Sequence, residues 1–99
     1  MLEQTQQLSE FFRAIEQDGR ISPMHISIYT ALLHYHTEHK LQSPIAVFSF
    51  EIMKIAKIST RSTYYKGIKD LNDFGYILFQ STRKRNQGSK IFLISKQGV

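Results

Sequence analysis

The apolar residues of this chain change period at Gly75, from helical to strand-like, and that change constrains the fold more than any other feature. Before it, Ile52, Ile55 and Ala56, with Met53 beside them, and then Tyr64, Ile68 and Leu71 recur at the three- and four-residue intervals that line one helix face. After it, the runs Tyr76 to Thr82 and Lys90 to Ile94 are short and rich in aromatic and β-branched residues, as strands are. Ile58-Ser59 makes a turn between the two helices, Ser59 or Thr60 caps the second, and Gly75 ends it near Phe74. With no glycine between Gly19 and Gly67, Ser59 must take the left-handed position in that turn, or the turn is of another type.

The first half supplies the rest of a core. Leu8, Phe11, Phe12 and Ile15 fall at helical spacing within Thr5 to Gln17, and Asp18-Gly19 supplies the stop. This stripe either covers the domain's own core or meets a protein partner, for instance a second copy in a homodimer. Ser22-Pro23 opens a further helix whose buried face, Ile28, Leu32 and Tyr35 flanked by Tyr29, Leu33 and His36, runs to about Leu41. Ile45 to Phe48 reads as a brief strand, and the next helix begins at Ser49. The expected organisation is an N-terminal amphipathic helix over residues 1–20 and one α+β domain over residues 21–99.

Charge divides the chain more sharply than its sum of +5 suggests. From Lys54 onward ten lysines and arginines stand against Asp70 and Asp73, a balance of +8; the first 53 residues carry Arg13, Arg20 and Lys40 against six acids, a balance of −3. At about 100° per residue, Ser62, Lys66 and Lys69 lie opposite the apolar sector of their helix, with Arg61 and Tyr65 on the flank, so donors and one aromatic ring project outward together. Gly67 sits at the edge of the buried sector, where a missing side chain permits close approach of the preceding helix. Between the two terminal strands lies Arg83-Lys84-Arg85-Asn86-Gln87-Gly88-Ser89, the cationic tip of a hairpin, with Lys90 at the start of the returning strand. Such a tip can reach phosphates beside a helix seated in a groove, and nucleic acid is the partner this distribution favours.

Other chemistries find little support. The absence of cysteine removes disulfides, thiol nucleophiles and cysteine-based metal sites, and suits a reducing compartment. No window approaches the roughly 18 apolar residues of a membrane span and the start lacks a leader pattern, so a soluble cytoplasmic protein is expected, without membrane association. His36 and His39 share a helix face, but neither they nor His25 and His34 are joined by a carboxylate or cysteine that would complete a metal site. Glu51 and the serines lack a histidine-acid partner motif, and no glycine-rich phosphate loop follows a strand; neither catalysis nor a cofactor is expected.

The segment from Ser59 to Ile77, STRSTYYKGIKDLNDFGYI, resembles the recognition helix and first wing strand of winged helix-turn-helix DNA-binding domains. The resemblance extends from Ser22 to about Ser95 and departs from many members in lacking the turn glycine. It implies a three-helix core with a small antiparallel sheet, preceded here by an extra N-terminal helix, with the third core helix in the major groove and the hairpin as a wing. Arg61, Ser62, Tyr65, Lys66 and Lys69 match the family's usual DNA-facing positions, with Thr60 at the helix start and Arg83, Lys84, Arg85 and Lys90 on the wing. The implied role is sequence-specific binding of double-stranded DNA by a small bacterial or phage transcriptional regulator. The alternative is a protein-interaction or replication-initiation module of a mobile element.

Overall fold

A computed structural model describes residues 2–38, 45–80 and 89–94, with side chains from residue 6 in the first stretch and from residue 47 in the second. The described residues form four helices and three strands, in the order α1 (Leu2–Ile15), α2 (Pro23–Glu38), β1 (Ile45–Val47), α3 (Ser49–Ala56), α4 (Arg61–Asp73), β2 (Ile77–Gln80) and β3 (Ser89–Leu93). The strands form one antiparallel sheet in the order β1-β3-β2, with Val47 opposite Ser89 and Phe79 opposite Ile91. This small α+β arrangement is compatible with a winged-helix layout. No described helix is long and apolar enough to cross a membrane.

The central element is α2, apolar on most of its circumference, with Ile28, Tyr29, Ala31, Leu32, Leu33 and Tyr35 all buried. Against it pack α1, α3 and α4, which contribute Phe11, Ile52, Ala56, Tyr64, Ile68 and Leu71, and the sheet closes the core with Val47, Ile77 and Ile91. Ile55, expected on the buried face of α3, is instead exposed; Ile52 and Ala56 are the buried residues of this short helix, with Met53 partly buried against the core. Continuation of α2 toward Leu41 lies outside the described residues.

Phe11 decides how α1 attaches. Its ring stacks on Tyr29 at 3.9 Å and meets Tyr76 edge-on at 5.5 Å, leaving it 2% exposed. Within one folded chain it is therefore occupied, whereas Phe12 beside it is exposed and Leu8 and Ile15 are half-buried. The loop after α1 is fastened to the same region, because Asp18 accepts hydrogen bonds from the Arg20 backbone and side chain and from the Tyr76 hydroxyl, the last at 2.8 Å. Arg20 in turn lies over the Phe74 ring at 4.1 Å.

The Arg20 guanidinium, helped by the Tyr76 hydroxyl, holds the Asp18 carboxyl well below the usual carboxylate range, and burial first, then Asp18, pushes the Tyr76 phenol up to about 12. A carboxyl depressed in the folded state stabilises fully above its unfolded value near pH 4, and that contribution is lost as pH falls further. The stability difference between wild type and Asp18→Asn, measured by urea unfolding, is therefore expected to be constant from pH 7 to about 5 and to shrink below about 4. A difference independent of pH would show that this cluster holds the loop without charge.

The turn between α3 and α4 follows a different plan from the expected one. Lys57, not Ser59, takes the left-handed conformation at φ 64°, and the Lys57 and Ile58 amides both donate to the Met53 carbonyl. Placing a side chain there costs about 1 kcal/mol relative to glycine. The Ser27 hydroxyl donates to the Ala56 carbonyl, so α2 satisfies another acceptor at the end of α3.

Gly67 also differs in its partner. The helix it admits is α2, not the preceding α3: a Cβ at position 67 would collide with the terminal methyl of Ile28 and lie 3.4 Å from the Met24 sulfur. Ile28 is fully buried and has little room to yield. Gly67→Ala gains about 1 kcal/mol of helix propensity but overpacks the contact by about 1–3 kcal/mol, so a net loss of about 1 kcal/mol is expected in urea unfolding. A more stable Gly67→Ala protein would mean that α2 and α4 lie further apart.

Candidate nucleic-acid interface

Thr60 starts α4 as its cap: its hydroxyl accepts from the Thr63 amide at 3.4 Å and donates to the Thr63 hydroxyl at 2.8 Å. Thr60 thus shapes the first turn from a side chain already engaged. Tyr64, Gly67, Ile68 and Leu71 face the core, and the helical repeat then requires Arg61, Ser62, Tyr65, Lys66 and Lys69 to face solvent, where they are all found. The first turn carries no acid, and among the described residues Arg61 has no ion-pair partner. A cation at the positive end of a helix dipole is uncompensated until an anion arrives.

The two lysines are not equivalent. Lys69 donates to Asp73 at 2.8 Å, an exposed pair that depresses the Asp73 carboxyl. Lys66 donates to Asp70 at 3.1 Å, and the same Asp70 oxygen lies 2.9 Å from Nε2 of His25. His25 is 4% exposed, and its Nδ1 accepts from the Ser22 amide at 2.9 Å. Since an amide can only donate, that bond leaves Nε2 as the protonated nitrogen, donating to Asp70. The bond from His25, with Lys66 second, holds the Asp70 carboxyl below its usual range. Without Lys66, Asp70 keeps the buried His25 donor, whereas Asp73 without Lys69 keeps only the Asn72 side chain, so Lys66 is the more readily released cation.

Two contacts fix α4 against the sheet. The Phe79 amide donates to the Asn72 side-chain oxygen at 2.9 Å, and the Tyr65 ring stands edge-on to Phe79 with centroids 6.5 Å apart. Tyr65 therefore touches the hairpin and still presents its exposed edge to solvent. Lys90 is exposed on β3 opposite Gln80. Arg83, Lys84 and Arg85 lie outside the described residues, between the ends of β2 and β3.

Among the described residues no group of three histidines or acids could hold a metal. His25 is committed to Ser22 and Asp70, His34 lies 3.9 Å from Glu38, and His39 lies outside the described residues. Glu51 accepts from the Tyr35 hydroxyl at 3.1 Å.

Sequence reasoning missed His25, Asp70, Asn72 and Lys57 as residues that shape this surface. The spacing of Lys66 to Asp70 and Lys69 to Asp73 is a legible i,i+4 signal. The His25 to Asp70 bond joins positions 45 apart in sequence and has no local signature. No family model matches the chain, and neither a curated protein nor a solved structure matches it.

Proposed function

We propose that this chain is a winged-helix protein that binds double-stranded DNA sequence-specifically and serves as a small bacterial or phage transcriptional regulator. In this reading the N-terminal half of α4 enters the major groove, and the hairpin with Arg83, Lys84, Arg85 and Lys90 tracks the phosphates. The observation that carries it is the outward face of α4. Arg61, Ser62, Tyr65 and Lys66 all precede the first acid of the helix, so its positive end is also its leading end. That face rests on a firm support, since Gly67 seats α4 on Ile28, His25 holds Asp70, and Asn72 holds the edge of β2. Preorganisation of this kind lets donors read base edges without an ordering cost.

Selection from random duplexes, followed by salt titration on the winner and a scrambled control, tests the reading. The expected outcome is one preferred sequence bound at least about a thousandfold more tightly than the scrambled duplex, with affinity for both falling steeply with salt. Equal affinity for the winner and the control would reject sequence-specific recognition. The wing should behave differently: Arg83→Ala with Arg85→Ala is expected to weaken binding to every duplex and to reduce the salt slope by about 2.

A further inference from the structure

Phe48 and Phe50 stand at the start of α3 with their rings 5.8 Å apart and 26° from parallel, and Phe50 is 65% exposed. Phe48 is the residue before the first turn of α3, where serine, threonine, aspartate or asparagine would cap the free amides, and a phenyl ring has no acceptor to offer. Phe50 adds exposed apolar surface where a polar residue would serve α3 equally well. One turn further, Lys54 continues the face of Phe50 at i+4, and Lys57 ends the helix as its C-cap. Lys57 is the residue in the left-handed conformation that glycine would adopt without strain. Three choices that work against local structure thus fall on one short helix and its two caps, and such departures concentrate where side chains are used.

Charge narrows what the face can receive. Lys54 and Lys57 are exposed, and neither has an ion-pair partner among the described residues. The single acid of α3, Glu51, is engaged through one oxygen by the part-buried Tyr35 hydroxyl and by the exposed Phe48 amide, so its charge at the start of the helix is shared with two donors. An exposed aromatic pair with Lys54 one turn along the same helix face and Lys57 at the helix end matches a ligand with a flat ring and an anion at short spacing, which is the repeating unit of an unpaired nucleic-acid strand.

We infer that Phe48, Phe50, Lys54 and Lys57 form a second binding surface, separate from the outward face of α4, which takes single-stranded DNA by stacking a base on Phe50 and holding flanking phosphates with the two lysines. The choice of DNA over RNA rests on the duplex reading above; the stacking surface itself does not. Together the two surfaces would let the protein hold a duplex on α4 and an opened strand on α3, as a junction or a locally melted site presents them.

Fluorescence anisotropy with labelled oligothymidylate of about ten nucleotides, a length within the usual range of single-strand sites, tests this on the full chain at low salt. Wild type is expected to bind; Phe50→Ala is expected to lose roughly fivefold to a hundredfold in affinity, and Phe50→Trp to restore or exceed it. Lys54→Gln with Lys57→Gln should weaken binding and flatten its salt dependence, while Arg61→Ala with Lys66→Ala should leave it unchanged. Because Phe50 is largely exposed, its variants keep the fold, which circular dichroism checks. Absence of oligothymidylate binding by wild type, equal binding by Phe50→Ala, or a concentration-dependent mass that falls in Phe50→Ala would each overturn the proposal, the last by making the patch an interface between copies. Preference for oligouridylate over oligothymidylate would overturn the assignment to DNA. None of these outcomes depends on whether a preferred duplex exists, so failure here is distinct from failure of the duplex reading.

Discussion

Tyr64→Ala is expected to lower the stability of the protein by about 3–5 kcal/mol, a large part of the total available to a domain of this size. Tyr64 is almost fully buried between α4 and the core, and burial pushes its phenol well above the ordinary range. Removing the ring leaves a cavity that α4 can close only by moving against α2, and the Gly67 contact with Ile28 opposes that motion. The neighbouring Tyr65, whose ring is edge-on to Tyr64 with centroids 5.0 Å apart, faces out. Tyr65→Ala should therefore cost less than about 1 kcal/mol of stability while weakening binding to a preferred duplex. Urea unfolding of both variants checks the rotation of α4: similar losses at the two positions would mean that the helix is turned from the orientation described.

Arg61→Ala with Lys66→Ala carries the largest expected effect on binding. Each side chain can make a base-edge or phosphate contact that discriminates by about 1–3 kcal/mol, so the pair should lose about 2–6 kcal/mol at the preferred site, roughly thirtyfold to ten-thousandfold. The scrambled duplex should lose less, since only the phosphate share is removed. Both residues are exposed, so unfolding should shift by no more than about 0.5 kcal/mol. Lys69→Ala is the informative comparison. Lys69 is held by Asp73, and removing it leaves that acid facing the phosphates, so its effect should be uniform across sequences. Unchanged affinity of the folded double variant would remove α4 from the interface.

Much of this was legible in the residues because it is local. The rotation of α4 follows from the spacing of Tyr64, Ile68 and Leu71; its cap follows from a threonine before the first turn; and its end follows from Gly75, which has φ 88°. The start of α3 at Ser49 is equally local. What was not legible depends on partners distant in sequence. Gly67 announces a close approach but not that Ile28, on α2, makes it, and Phe11 announces burial but not the stack on Tyr29. The turn shows a third kind of limit. Ser59 and Lys57 compete for the left-handed position, and the winner is set by where α3 runs out against α2, with the Met53 carbonyl accepting both following amides. The pairing of β1 with β3 likewise joins segments separated by α3 and α4, and no residue near Val47 records it.

Backbone amide shifts of the labelled protein, followed during titration with a preferred duplex, test the central claim most directly. The account predicts that the largest changes fall on Arg61, Ser62, Tyr65, Lys66 and Lys69 and on Lys90, with little change on the α1 and α2 residues that face away from α4. Changes centred on Phe12 and the outer side of α1, with α4 silent, would contradict it.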